Sequence, residues 1–162
     1  MESIQSLRMW TAIHQIYQVV MEKSKELLKA HDIGDIEYLI LFHVAAQSEF
    51  PQAKLNKILH FSKASVSLAL RTLEAKKYIR IKTDAKDQRH KSITLTRPGE
   101  RLIRELFTER GKVISSSFGV YSEKEQADLI GLLGRFHGDS PHYKEVTEEL
   151  ELLMPFYFSN ET

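Results

Sequence analysis

Ser62-Lys63-Ala64-Ser65-Val66-Ser67-Leu68-Ala69-Leu70-Arg71-Thr72-Leu73-Glu74 leads, after a short basic turn, into Tyr78-Ile79-Arg80-Ile81-Lys82. A charged stretch from Asp84 to Lys91 follows, and then Ser92-Ile93-Thr94-Leu95-Thr96. In the first segment Val66, Ala69, Leu70 and Leu73 keep the i, i+3, i+4, i+7 spacing of a helix with one buried side. Ser62 stands where a hydroxyl can accept from the free N–H groups of the first turn. The opposite side carries Lys63, Ser65, Ser67, Arg71 and Thr72, cations and short polar groups suited to phosphates and base edges. The next two segments alternate with period two, so they predict a hairpin whose tip holds Lys86, Gln88, Arg89, His90 and Lys91. Upstream, Gln52 to His60 reads as a short helix with Leu55, Ile58 and Leu59 buried, and Phe61-Ser62 as the turn between helices. Two short helices joined tightly, then a two-stranded ribbon with a basic tip, form a winged helix-turn-helix.

Working outward, Ser6 to Ala30 predicts a long helix with apolar Leu7, Trp10, Ile13, Val20, Leu27 and Leu28, widened by Val19-Val20-Met21 to more than one buried side. Asp35 is the expected N-cap of a second apolar helix, Ile36 to Gln47. Ser48 to Pro51 reads as a turn. Thr96 is expected to cap another helix, with Pro98 tolerated in its first turn and Gly111 a weak point further on. The Ser115-Ser116-Ser117 run and Gly119 are expected to loosen its end. Ser122-Glu123-Lys124-Glu125 is a capping box. The acidic tail from His142 to Met154 predicts a helix ending in Pro155-Phe156-Tyr157-Phe158. The expected architecture is mainly α with a small β-wing. A winged helix-turn-helix lobe, residues 32–99, sits within a single domain whose two ends, 1–31 and 100–162, form a helical dimerisation region. Their long apolar stripes exceed what a small monomer needs to cover.

The 162 residues carry a net charge of only +1, but that charge is segregated. From Lys54 to Lys91 there are 11 Lys/Arg against 3 acids, whereas the first 53 residues have 4 against 7 and residues 105–162 have 5 against 11. The basic block coincides with the helix and wing, which favours a lobe facing a polyanion. No apolar run approaches the ~20 residues of a membrane span. Cysteine is absent, which excludes disulfides and thiolate metal sites. The N-terminus lacks the pattern of a signal peptide, so a cytoplasmic protein is the expectation.

The same residues resemble the MarR family of bacterial transcription regulators. The family's recognition-helix opening matches Ser62-Lys63-Ala64-Ser65-Val66-Ser67, and its Leu-Glu run matches Leu73-Glu74-Ala75-Lys76-Lys77-Tyr78-Ile79. Its wing matches Asp84, Asp87 and Arg89, and its Leu-Thr-x-x-Gly helix start matches Leu95-Thr96-Arg97-Pro98-Gly99. Lys77 stands where the family usually has Gly, and Leu68 where a basic residue is common. The resemblance implies a homodimer, paired through its first and last helices, that binds a double-stranded DNA operator, with repression the expected role. The helix from Ser62 would enter the major groove and Arg89 the minor groove. It also implies a small-molecule effector between the dimer helices and the DNA-binding lobe, where Trp10, His14, Tyr17, Tyr38 and Phe42 are the candidate contacts.

Other chemistries find less support. The seven histidines lack the paired spacing of a zinc site, so no metal or cofactor is expected, and a zinc-responsive regulator of the same fold is the alternative. His43, on an apolar helix, reads as a core residue. No phosphate-binding glycine loop, nucleophile elbow or convincing carboxylate pair suggests an enzyme. A protein-interaction module docking through the acidic tail is a further alternative.

Overall fold

The computed structural model describes residues 2–47, 49–83 and 90–137. The described chain runs α1 (Glu2–Ala30), α2 (Asp35–Ala45), β1 (Phe50–Pro51), α3 (Gln52–Ile58), α4 (Lys63–Ala75), β2 (Ile79–Thr83), β3 (Lys91–Leu95), α5 (Arg97–Phe118) and α6 (Glu123–His137). This is the mainly helical fold with a β-wing that the pattern predicts. The predicted tail helix lies outside the described residues.

The wing is a three-stranded antiparallel sheet in the order β1-β3-β2, not a two-stranded ribbon. The segment read as a turn before α3 contributes Phe50 and Pro51 as its third strand. Phe50 pairs with Ile93, which pairs with Ile81 on the other side. Phe50 and Ile93 are fully buried, so the sheet joins the core through this row. Pro51 is tolerated because an edge strand needs no donor on its free side.

One core lies under the sheet and α4. It is built from Ile40, Leu41 and Val44 of α2, Leu55 of α3, Val66, Leu70 and Leu73 of α4, Ile79 and Ile93 of the wing, and Leu102, Ile103 and Leu106 of α5. Truncating any of these to Ala costs about 2–5 kcal/mol, since transfer and cavity terms add. His43 is buried with them, its ring edge-on to Phe42 at 5.5 Å between centroids.

Several element ends differ from expectation. The N-cap of α2 is Gly34, with Asp35 its first helical residue, because the Glu37 carboxylate reaches back to accept from the Gly34 N–H at 2.8 Å. α1 begins at Glu2, and the Val19-Val20-Met21 segment is not enclosed: Val19 is exposed. α5 continues through Gly111 and the serine run to Phe118. There the Ser116 and Ser117 hydroxyls donate to the Val113 carbonyl, both at 2.9 Å, and so stay within the helix. Ser122 and Glu125 do form the capping box, the Ser122 N–H donating to Glu125 Oε2 at 2.8 Å and the Glu125 N–H to Ser122 Oγ at 3.4 Å.

Two helices end in the same way. After α1, Asp32 is left-handed (φ 54°), and the Ile33 and Asp32 N–H groups donate to the Leu28 and Lys29 carbonyls. After α4, Lys77 is left-handed (φ 61°), and the Tyr78 and Lys77 N–H groups donate to the Leu73 and Glu74 carbonyls. Both are Schellman ends, where glycine is the unstrained choice. Lys77 therefore adopts the left-handed conformation usual for glycine, at a cost of about 1 kcal/mol. His60, in the turn between α3 and α4, is the third left-handed residue (φ 50°).

Candidate nucleic-acid interface

The pitch of α4 is fixed at both ends. At its start the Ser62 hydroxyl accepts from the Ser65 N–H at 3.1 Å, as expected of a cap, and lies 2.8 Å from the Ser65 hydroxyl. At its end Lys76 pairs with the Asp32 carboxylate at 3.0 Å and also donates to the Asp32 carbonyl. Glu74 accepts from the Ile81 N–H at 3.3 Å, tying the last turn to β2.

The wing is locked to α5 by Leu95-Thr96-Arg97-Pro98-Gly99. Thr96 caps α5 by accepting from the Gly99 N–H at 3.2 Å, and its hydroxyl reaches the Lys77 carbonyl at 2.6 Å. Its own N–H donates to the Tyr78 carbonyl at 3.0 Å. A Cβ on Gly99 would lie 2.0 Å from the Tyr78 carbonyl oxygen, so this position admits only glycine. The physical sense of the motif is therefore a close-packed joint between the end of α4, the wing and the long α5.

With α4 so placed, Val66, Ala69, Leu70 and Leu73 face the core and Lys63, Ser67, Leu68 and Arg71 face outward. Lys63, Ser67 and Arg71 make no side-chain hydrogen bond or ion pair among the described residues. Ser65 and Thr72 are half-buried, and their hydroxyls are engaged locally: Thr72 donates to the Leu68 carbonyl at 3.1 Å. His90 and Lys91 are exposed at the start of β3. Lys86, Gln88 and Arg89 lie outside the described residues. Arg80 and Lys82, absent from the sequence-derived set, alternate outward along β2 while Ile79 is buried. The period-two pattern of this strand was the signal that could have placed them with the site.

The five candidate effector contacts fall in two groups. Trp10, His14 and Tyr17 are exposed on the first half of α1, with the Trp10 and His14 rings stacked at 6.3 Å. Tyr38 and Phe42 pack inward, Phe42 stacking on Phe107 at 6.0 Å. The Arg110 guanidinium lies 4.5 Å above the Tyr38 ring. Burial pushes the Tyr38 hydroxyl above its ordinary pKa, and the Arg110 charge and hydrogen bond oppose that.

One cluster escaped the sequence reading. His31 Nε2 lies 3.3 Å from Glu109 Oε2, and donor atoms of His31, Glu105 and Glu109 lie within 4.8 Å of one another. Spacing could not find it, because His31 and Glu109 are 78 residues apart. It joins the end of α1 to α5, beside the Asp32–Lys76 tie.

A short helix, a left-handed turn, a second helix with free cations outward and an adjoining wing define a winged helix-turn-helix DNA-binding protein. The MarR family model matches residues 31–90, the span from the α1–α2 turn to the wing. The chain is 27% identical over 108 residues to the HTH-type transcriptional regulator YwaE of Bacillus subtilis, a match spanning 67% of this chain and 63% of YwaE. It is 25% identical over 126 residues to the HTH-type regulator SarZ of Staphylococcus aureus, spanning 78% and 84%. A mutant of Escherichia coli MarR, solved with operator DNA, superposes with a TM-score of 0.69 at 19% identity, covering 82% of this chain and 95% of that one. Over residues 31–90 the chain matches the MarR family of transcription regulators, and its fold is that of the MarR structure. No helix among the described residues is long and apolar enough to cross a membrane.

Proposed function

We propose that the chain acts as a homodimeric, sequence-specific transcriptional repressor. α4 lies in the major groove and the wing reaches the adjacent minor groove. The observation that carries this reading is the outward face of α4, whose Lys63, Ser67 and Arg71 have no partner among the described residues while the opposite face is wholly buried. Cations held on a rigid helix and left uncompensated are poised for phosphates and base edges. Arg80 and Lys82 extend the field along the wing, Lys86, His90 and Lys91 are phosphate contacts, and Gln88 is a further DNA contact. Arg89 is assigned to the minor groove, where narrow A·T tracts concentrate negative potential.

In this reading residues 32–99 are the DNA-binding lobe, and 1–31 with 100–162 the dimerisation region. The support is the exposed apolar series Leu7, Trp10, Ile13 and Tyr17 on α1 with Ile130, Leu132 and Leu133 on α6. A two-fold places two α4 helices about 34 Å apart, one turn of DNA. A small molecule held near Trp10, His14, Tyr17, Tyr38 and Phe42 releases the operator by favouring a dimer in which that spacing is lost.

The test is affinity for duplex DNA against salt. The logarithm of the association constant should fall with log salt by about 0.9 per phosphate neutralised. Lys63→Ala and Arg71→Ala should each weaken binding, by about 1–3 kcal/mol where the residue reads a base. Equal loss on operator and random DNA marks a phosphate contact, unequal loss a base contact. A chain that ignores duplex DNA in dilute buffer ends this reading.

A further inference from the structure

We propose that Leu68, with Phe61 beside it, reads the 5-methyl groups of thymines in the major groove, so that each operator half-site carries A·T pairs under the middle of α4. This rests on the DNA-binding reading above and specifies which bases the helix selects.

Among the described residues from Ile33 to Phe107, Phe61 and Leu68 are the only large hydrophobic side chains left exposed, at 43% and 60%. Every other one is at least partly covered. A lone exposed leucine is ordinary on a protein surface. This pair is set apart by its position. Leu68 lies opposite Val66, Ala69, Leu70 and Leu73, near the centre of the face that α4 turns away from the core. Phe61, Ser65, Leu68 and Thr72 form one wall of a groove whose other wall is the start of α2, with Asp35 and Glu37.

Of the polar groups in that groove, the two α4 hydroxyls and the Glu37 carboxylate are engaged locally. The Ser65 hydroxyl is bonded to Ser62, and the Thr72 hydroxyl to the Leu68 carbonyl. The middle of α4 thus offers carbon, while hydrogen-bonding capacity lies on either side, at Lys63, Ser67 and Arg71. The major-groove edge of an A·T pair carries the thymine methyl, the one apolar group there that suits a leucine. A G·C pair leaves its O6, N7 and N4 groups unpartnered there, much as an A·T pair leaves N7, N6 and O4, but it has no methyl to offset that cost.

The experiment selects duplexes from a random pool and then replaces each thymine of the selected site, singly, by uracil, which deletes the methyl and keeps every hydrogen-bonding group. The wild type should lose about fourfold in affinity at one or two positions per half-site, the worth of one buried methyl. Leu68→Ala should bind the thymine and uracil duplexes alike at those positions. Leu68→Arg should shift selection there toward guanine. Indifference of the wild type to uracil, or undiminished sensitivity in Leu68→Ala, overturns the thymine assignment and leaves DNA binding standing. Failure to enrich any duplex at low salt overturns both.

Discussion

The stretch from α2 to the middle of α5 and the helices at the two ends use apolar residues in opposite ways. In the former, α2, α3, α4, the wing and the start of α5 close around one core, and of the large hydrophobics among the described residues only Phe61 and Leu68 stay exposed. In the latter, α1 and α6 present Leu7, Trp10, Ile13, Ile130 and Leu132 to solvent. The difference teaches which part of the fold is complete within one chain. The lobe satisfies its own hydrophobic periodicity. The ends show the same periodicity without a surface among the described residues to meet it, which is the physical support for pairing with a second copy.

The contrast can be broken most directly at Gly99. Gly99→Ala forces a Cβ against the Tyr78 carbonyl and should lower stability by about 3 kcal/mol, as overpacking does. The loss should be read by denaturant titration; a neutral result would mean that the joint between wing and α5 is looser than its geometry. Trp10→Glu strikes the other region. It should weaken the proposed dimer by about 2 kcal/mol, as removal of an aromatic anchor does, and leave amide exchange in the lobe unchanged. Sedimentation over a range of concentrations measures this, and an unaltered association constant would remove α1 from the interface.

Lys77→Gly sharpens the comparison from within the lobe. It relieves the left-handed residue and should raise stability by about 1 kcal/mol, read as a higher melting temperature. None of the proposed DNA contacts requires Lys77, so operator affinity should stay within about twofold, a change worth less than 1 kcal/mol.

The smallest effect belongs to the α6 cap. The Ser122 hydroxyl and N–H hold the Glu125 carboxyl below its ordinary pKa. A lowered folded-state pKa means the cap is fully formed above the ordinary glutamate range and is lost as pH falls through the depressed value. Carboxyl NMR should show Glu125 titrating below the other exposed glutamates, and Ser122→Ala should return it upward.

The amino-acid order alone determined the helix from Ser62, its Ser62 cap, the alternation along each wing strand, the Thr96 cap and the Ser122 box. Each depends on neighbours within about seven positions, where helical and strand periodicities and capping geometry act. The tertiary structure decided what lies beyond that range. Phe50 becomes a strand only because the distant Ile93 offers it an edge and the core covers its ring. Gly99 is obligatory only because Tyr78 lies against it, and Lys76 is taken from the basic face only because Asp32 is folded beside it. His31 meets Glu109 only because α1 packs on α5. In each case an interaction between distant segments exists only once packing has brought them together, and no local pattern encodes that meeting.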